Sequence, residues 1–201
     1  VMSSQSSYIF NSDYGFNKNE VFYTWLSAEA QGKKDAVRAE LEKLPFVESV
    51  GFAQSTIGSS DHYMLWGRGD GDRQMSLQVL PCDYAYLRTM QLKIVEGRDF
   101  CESDMKTGAY VLNKAAMQQY KWLIVGDFIG RQGDWGSQSN YHIVGVCDNF
   151  KLMSMRNDNS HAPVAFIIFG PDMADWGDRC GQVFVRVAKN QDKLMAKRRI
   201  A

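Results

Sequence analysis

Tyr86-Leu87-Arg88-Thr89-Met90-Gln91-Leu92-Lys93-Ile94-Val95-Glu96-Gly97-Arg98-Asp99-Phe100 passes from helix to strand to turn without a break. Asp83 to Met90 has the composition of a short helix, with Asp83 near its start. Leu92 to Glu96 returns to strand, and Gly97-Arg98-Asp99-Phe100 turns out of it. Glycine permits a positive φ at such a turn, and an aspartate beside it can bond nearby backbone amides. Glu96, Arg98 and Asp99 are also the most tempting charged constellation for catalysis, which would set carboxylates around a bound substrate. The turn accounts for the same residues without a substrate.

Outward from this stretch, Asp104 falls in a polar loop, Tyr110 to Leu112 is a strand, and Asn113 can cap a helix from Lys114 to Tyr120. Val125–Ile129 and Tyr141–Val146 are strands divided by a Gly- and Ser-rich segment, and Val164–Phe169 follows. Gly145 inside its strand reads as close backbone packing or a bulge. Val183 to Val187 alternates strictly, which predicts one buried face with Arg186 turned to water. A last helix starts near Gln191 or Asp192. Upstream, a lead-in over residues 1–20 precedes the strand Val21–Leu26 and a helix from Lys34 to Leu44. Val37, Leu41 and Leu44 share one face of that helix, Arg38 and its charged neighbours mostly turn away, and Pro45 stops it. Val47–Phe52 is a half-buried strand. Tyr63–Trp66 and Met75–Leu80 form a hairpin around the turn Gly67–Asp72.

Composition limits the function. The 201 residues are 45% hydrophobic, enough for a sizeable core, and carry 23 basic and 23 acidic side chains. That balance argues against a phosphate-tracking surface, and the one basic cluster is Lys197-Arg198-Arg199. The longest apolar run, Val164–Phe169, is strand-sized, well short of the roughly 20 residues that span a bilayer. Val1-Met2-Ser3-Ser4-Gln5 has neither the basic start nor the apolar stretch of a signal peptide, and the charged, helix-like C-terminal end suits a piece of a longer protein. Cys82, Cys101, Cys147 and Cys180 share no CxxC spacing, so the expectation is free thiols rather than zinc or a redox centre.

Several motifs keep a fixed order through the middle of the chain. Tyr86–Met90 leads into Lys93–Phe100, followed by the acidic Asp104, Val111-Leu112-Asn113-Lys114-Ala115-Ala116, Val125-Gly126-Asp127 with Ile129-Gly130, Ile143-Val144-Gly145-Val146-Cys147-Asp148-Asn149-Phe150, and Pro163 before an apolar strand. This series resembles the periplasmic core domain of MacB-like and FtsX-like ABC-transporter permeases, in an idiom similar to those of the Bacteroides group. The resemblance implies an α+β fold in two lobes. A porter-like α/β lobe is built from residues 1–82 and 157–201, whose strands share one sheet, and a mixed β/α lobe, residues 83–156, is inserted between them. It implies a non-catalytic domain on the periplasmic side of the bacterial inner membrane that couples ATP-driven movement of membrane helices to export or release of a substrate. The implied partners are a cytoplasmic ATP-binding subunit reached through membrane helices, a second permease subunit, and a periplasmic or outer-membrane protein. Nucleic acid is not among them.

Residue chemistry points the same way. The sequence holds no GxxxxGK[ST], GxSxG or HExxH motif. His62 beside Asp61 suits an exposed turn, and His142 and His161 lack a sequence-local partner. Asp70 and Asp72 lack the downstream Glu of a calcium loop. The expectation is therefore no catalytic, cofactor-binding or metal-ligating residue, no cofactor, and a binding surface the sequence does not assign. Trp122, Trp135 and Trp176 fall near loops, where exposed aromatics can anchor a protein or peptide partner, although core filling is the expected fate of most aromatics. The alternative function is a ligand- or peptide-sensing extracytoplasmic module, which needs a deep apolar pocket with convergent polar groups.

Overall fold

The structure, a computed structural model, describes residues 20–57, 64–70, 73–132, 138–150, 162–173 and 180–189. Strand β1 (Val21–Trp25) leads through the single turn α1 (Ala28–Gln31) into α2 (Lys34–Glu42) and β2 (Val47–Ala53). β3 (Met64–Asp70) and β4 (Arg73–Pro81) form a hairpin, then come α3 (Tyr86–Thr89), β5 (Ile94–Gly97), β6 (Ala109–Asn113) and α4 (Lys114–Gln119). β7 (Phe128–Gln132), β8 (Gln138–Cys147), β9 (Val164–Ile168) and β10 (Gln182–Val187) complete the order.

These strands make two sheets. The smaller is antiparallel, β1-β10-β2, so the first and last described strands are hydrogen-bonded neighbours. The larger has seven strands in the order β3-β4-β9-β6-β8-β5, with β7 also on β8. Its pairing is mixed: β4 with β9 and β6 with β8 run parallel. The expectation that residues from both ends of the chain share one sheet holds for β1, β2 and β10. It is corrected for β3, β4 and β9, which hydrogen-bond into the larger sheet beside β6 and β8.

Local chemistry explains most elements. Asn113 caps α4 by accepting from the Ala116 amide at 3.0 Å. Its side chain also accepts from Val164 N and donates to Ala162 O, tying the cap to β9. The expected strand over 125–129 is displaced to β7, because Gly126 takes a φ of 98° in a turn closed by Asp127 N to Ile124 O. Gly67 to Asp70, expected as turn, continue β3. Residues 1–19, the stretch from 191 onward, His62, His161, Trp135, Trp176 and Lys197–Arg199 lie outside the described residues.

Two arginines overturn the simple periodic reading. Arg38, expected on the outer face of α2, is buried. Its guanidinium donates to Val50 O at 2.7 Å, pairs with the buried Asp83 carboxylate, and lies over the Tyr84 and Phe52 rings. Arg186, expected in water, is 3% exposed, and its Nε donates to Thr89 O at 2.6 Å. Arg38 is covered by Asp83 and Tyr84, which follow β4, and Arg186 lies on a sheet with no open face. The small sheet is covered on one side by α2, through Val37, Leu41, Phe46 and the valines of β10, and on the other by α3. Strict alternation signals one dry face only when the other meets solvent. Here Tyr86 from α3 packs edge-on against Phe184 of β10, 4.9 Å between ring centroids, and also touches Phe166 of β9. Its ring thus belongs to the core of both sheets.

Candidate functional site

The turn after β5 gathers the charged residues singled out from sequence. Gly97 has φ 67°, and a side chain there would press within 2.9 Å of the Gly145 backbone on β8. A side chain on Gly145 would in turn overlap the Arg98 carbonyl, so the close approach expected at Gly145 is present. The Arg98 amide donates to Val144 O, which fixes the turn on β8. From there the Arg98 guanidinium reaches Asp104 in a bidentate pair, both contacts at 2.8 Å.

Asp104, expected in a polar loop, is instead 4% exposed on a 3₁₀ turn spanning Glu102–Lys106. Its carboxylate also accepts the Cys101 amide at 2.8 Å, completing a capping box. Burial alone would raise this carboxyl, but the Arg98 and Cys101 hydrogen bonds outweigh it and hold the group below the ordinary carboxylate value. Asp99 accepts the Phe100 amide at 2.7 Å, as the turn predicts, and burial raises its carboxyl. Glu96 is exposed on β5. Arg98 and the two aspartates are thus engaged with each other and with local backbone, which builds a turn and leaves no carboxylate pair aimed at a substrate. Asp104 is the residue sequence reasoning underweighted. Its signal was the spacing from Cys101 to Asp104, cap to third helical position.

The remaining nucleophiles and bases are similarly placed. Cys180 is buried. Cys82 and Cys147 are buried thiols too, and burial raises Cys82 and pushes Cys147 up to about 12. Such groups stay protonated and unreactive at neutral pH. Cys101, partly exposed, lies 3.0 Å from Ser103 Oγ. His142 is exposed on β8 with Nδ1 2.8 Å from Gly126 O. A carbonyl only accepts, so that nitrogen carries the proton. Among the described residues no group of three His, Cys, Asp or Glu side chains could hold a metal ion.

What the surface offers is apolar area. The outer edge of β8 is filled in sequence by β7, by the 126–127 turn against Ile143, and by β5. Along it Ile124 and Phe128 are both 60% exposed and Val95 is 37% exposed. The Phe128 ring lies 3.6 Å from the His142 ring. Trp122, open to either reading from sequence, packs partly buried against the core of the larger sheet. Trp25, at the end of β1, is exposed. Spacing could not separate these exposed apolar residues from core ones, because Ile124 and Phe128 flank the buried Leu123 and Ile129 in sequence.

Neither a protein-family model nor a curated sequence relative matches the chain. Solved structures do. The periplasmic region of MacB from Actinobacillus actinomycetemcomitans superposes with a TM-score of 0.62 at 13% identity, over 92% of this chain and 82% of that one. The extracellular domain of the noncanonic ABC-type transporter YknZ from Gram-positive bacteria gives 0.56 at 11% identity, over 87% and 86%. A domain assigned to a permease protein from Porphyromonas gingivalis gives 0.51 at 12% identity, over 81% and 75%. Among the described residues no helix is long and apolar enough to cross a membrane. With one antiparallel and one mixed sheet, few helices and a superposition over 92% of its length, the chain has the α+β fold of a MacB-like periplasmic domain.

Proposed function

We propose that this chain is the non-catalytic extracytoplasmic domain of an ABC-transporter permease, standing on the periplasmic side of the bacterial inner membrane. The observation that carries the reading is the superposition on the MacB periplasmic region over 92% of the chain. The engagement of Arg98, Asp99 and Asp104 within one turn supports it, since the most catalysis-like cluster is occupied by its own scaffold. Function then lies in movement and contact. ATP-driven motion of membrane helices would reach the domain as a change in position, and two such domains would open and close against each other or a periplasmic partner. The apolar edge formed by Val95, Ile124 and Phe128 is the surface we assign to that contact. A contact that cycles should be small, because obligate interfaces bury more than about 2,000 Å² and hold one state. The chain is accordingly expected to be monomeric or weakly dimeric.

The test is affinity purification of the native protein from detergent-solubilised membranes of its source, with mass spectrometry of what accompanies it. Recovery with an ATP-binding subunit supports the reading. Recovery from the soluble fraction, alone, overturns it.

A further inference from the structure

α3 is only one turn long, yet both of its ends are held by arginines of the small-sheet layer. At the front, Arg38 of α2 pairs with Asp83, whose other oxygen accepts the Ala85 amide at 3.1 Å. The Asp83 amide donates to Phe52 O on β2, and Arg38 also takes Val50 O, two residues away on the same strand. At the back, Arg186 of β10 donates to Thr89 O, a carbonyl at the C-terminal end of the turn. The Thr89 hydroxyl is turned inward onto Ala85 O at 2.8 Å. Between the two grips α3 lies directly on β2. A side chain at Gly51 would come within 2.8 Å of the Tyr86 Cα, so even a methyl group could not enter the seam. α3 is also continuous with the larger sheet: Cys82 N donates to Ile167 O of β9, and Leu92 leads into β5.

We propose that α3 is a lock joining the two sheets, so that the small and large sheets move as one rigid body rather than as lobes about a hinge. The elements that hold it are Arg38–Asp83, Arg186–Thr89 and the bare Gly51 seam. The grips oppose separation in two ways. Parting the layers would expose the Tyr86–Phe184–Phe166 core to water, and it would break the Arg38–Asp83 pair and the Arg186–Thr89 hydrogen bond. A displacement applied to β1, β2 or β10 therefore reaches β5 to β9 undiminished. The lock does not rest on the transport reading and can fail or stand without it.

Native-state hydrogen exchange on the whole chain tests this. In the unsubstituted protein the amides of Val185 in β10, Met90 after α3 and Val111 in β6 are expected to share one opening equilibrium. Replacing Arg38→Met, Asp83→Leu and Arg186→Met together substitutes apolar side chains for the charged ones and removes the grips. Exchange at Val185 should then rise at least tenfold more than at Val111. Separate opening equilibria in the unsubstituted protein overturn the lock, and so does an equal rise at both positions in the variant. If the variant does not fold, the unsubstituted measurement alone decides, since shared opening is the property claimed.

Discussion

Among the described residues two arginine–aspartate pairs share the same chemistry and have opposed physics. Arg98 and Asp104 are six residues apart in one turn, with the arginine side chain 50% exposed and the aspartate 5%. Arg38 and Asp83 are 45 residues apart, with side chains only 10% and 9% exposed. In the first pair hydrogen bonds overcome burial and the carboxyl is lowered; in the second burial overcomes the guanidinium and the carboxyl is raised. Contact with an arginine does not by itself decide how a carboxylate behaves. The balance between the carboxylate's own desolvation and the hydrogen bonds it accepts does.

The largest effect that could break this contrast is Arg38→Met alone, which leaves Asp83 buried without its cation. It is expected to cost about 3–5 kcal/mol of unfolding free energy in urea titration. Adding Asp83→Leu should recover most of that loss. Next, Arg98→Met is expected to cost about 1–2 kcal/mol by the same measurement, because its partner keeps the Cys101 amide and water reaches the exposed side. Equal costs for Arg38→Met and Arg98→Met would erase the distinction.

The pH dependence sharpens it through sign. Asp104 lies below its unfolded value near 3.8, so its stabilisation is present above that pH and is lost as the pH falls through the lower folded value. Asp83 lies above it, so its contribution is present in acid and is lost as the pH rises from 3.8 through the raised folded value. Asp104→Asn should therefore flatten the acid loss of stability, and Asp83→Asn should steepen it, in urea midpoints measured from pH 2.5 to 7. The smallest effect is expected at Phe128→Ser, which should shift stability by no more than about 0.5 kcal/mol while removing apolar area from the β8 edge.

Sequence separation explains what was legible. The Gly97 turn, the Asn113 cap and the helix of Val37 and Leu41 depend on residues a few positions apart, and each is present. The sheet order is not local: β4 beside β9 and β1 beside β10 are fixed by how the chain returns, which period and propensity do not encode. Arg38 and Arg186 were misplaced for that reason. Each occupies a position that its own element would expose, and each is buried by a segment far away in sequence, Arg38 by Asp83 and Tyr84 and Arg186 by α3. The ordered motifs from Tyr86 to Pro163 pointed to the α+β fold class, but the sheet they implied for β3, β4 and β9 was wrong. The exposed edge at Ile124 and Phe128 stayed hidden, since exposure is a property of the finished surface.

The strand order β1-β10-β2 also bears on how the chain acquires its shape. The central strand of the small sheet is the last described strand to be synthesised, and β1 and β2 both pair through it. A nascent chain emerging N-terminus first therefore carries β1, α2 and β2 without the partner that aligns them. Until β10 arrives, the apolar faces of Phe22, Val50 and Phe52 are open to other chains, so the danger of aggregation falls in the interval between synthesis of Ala53 and synthesis of Gln182.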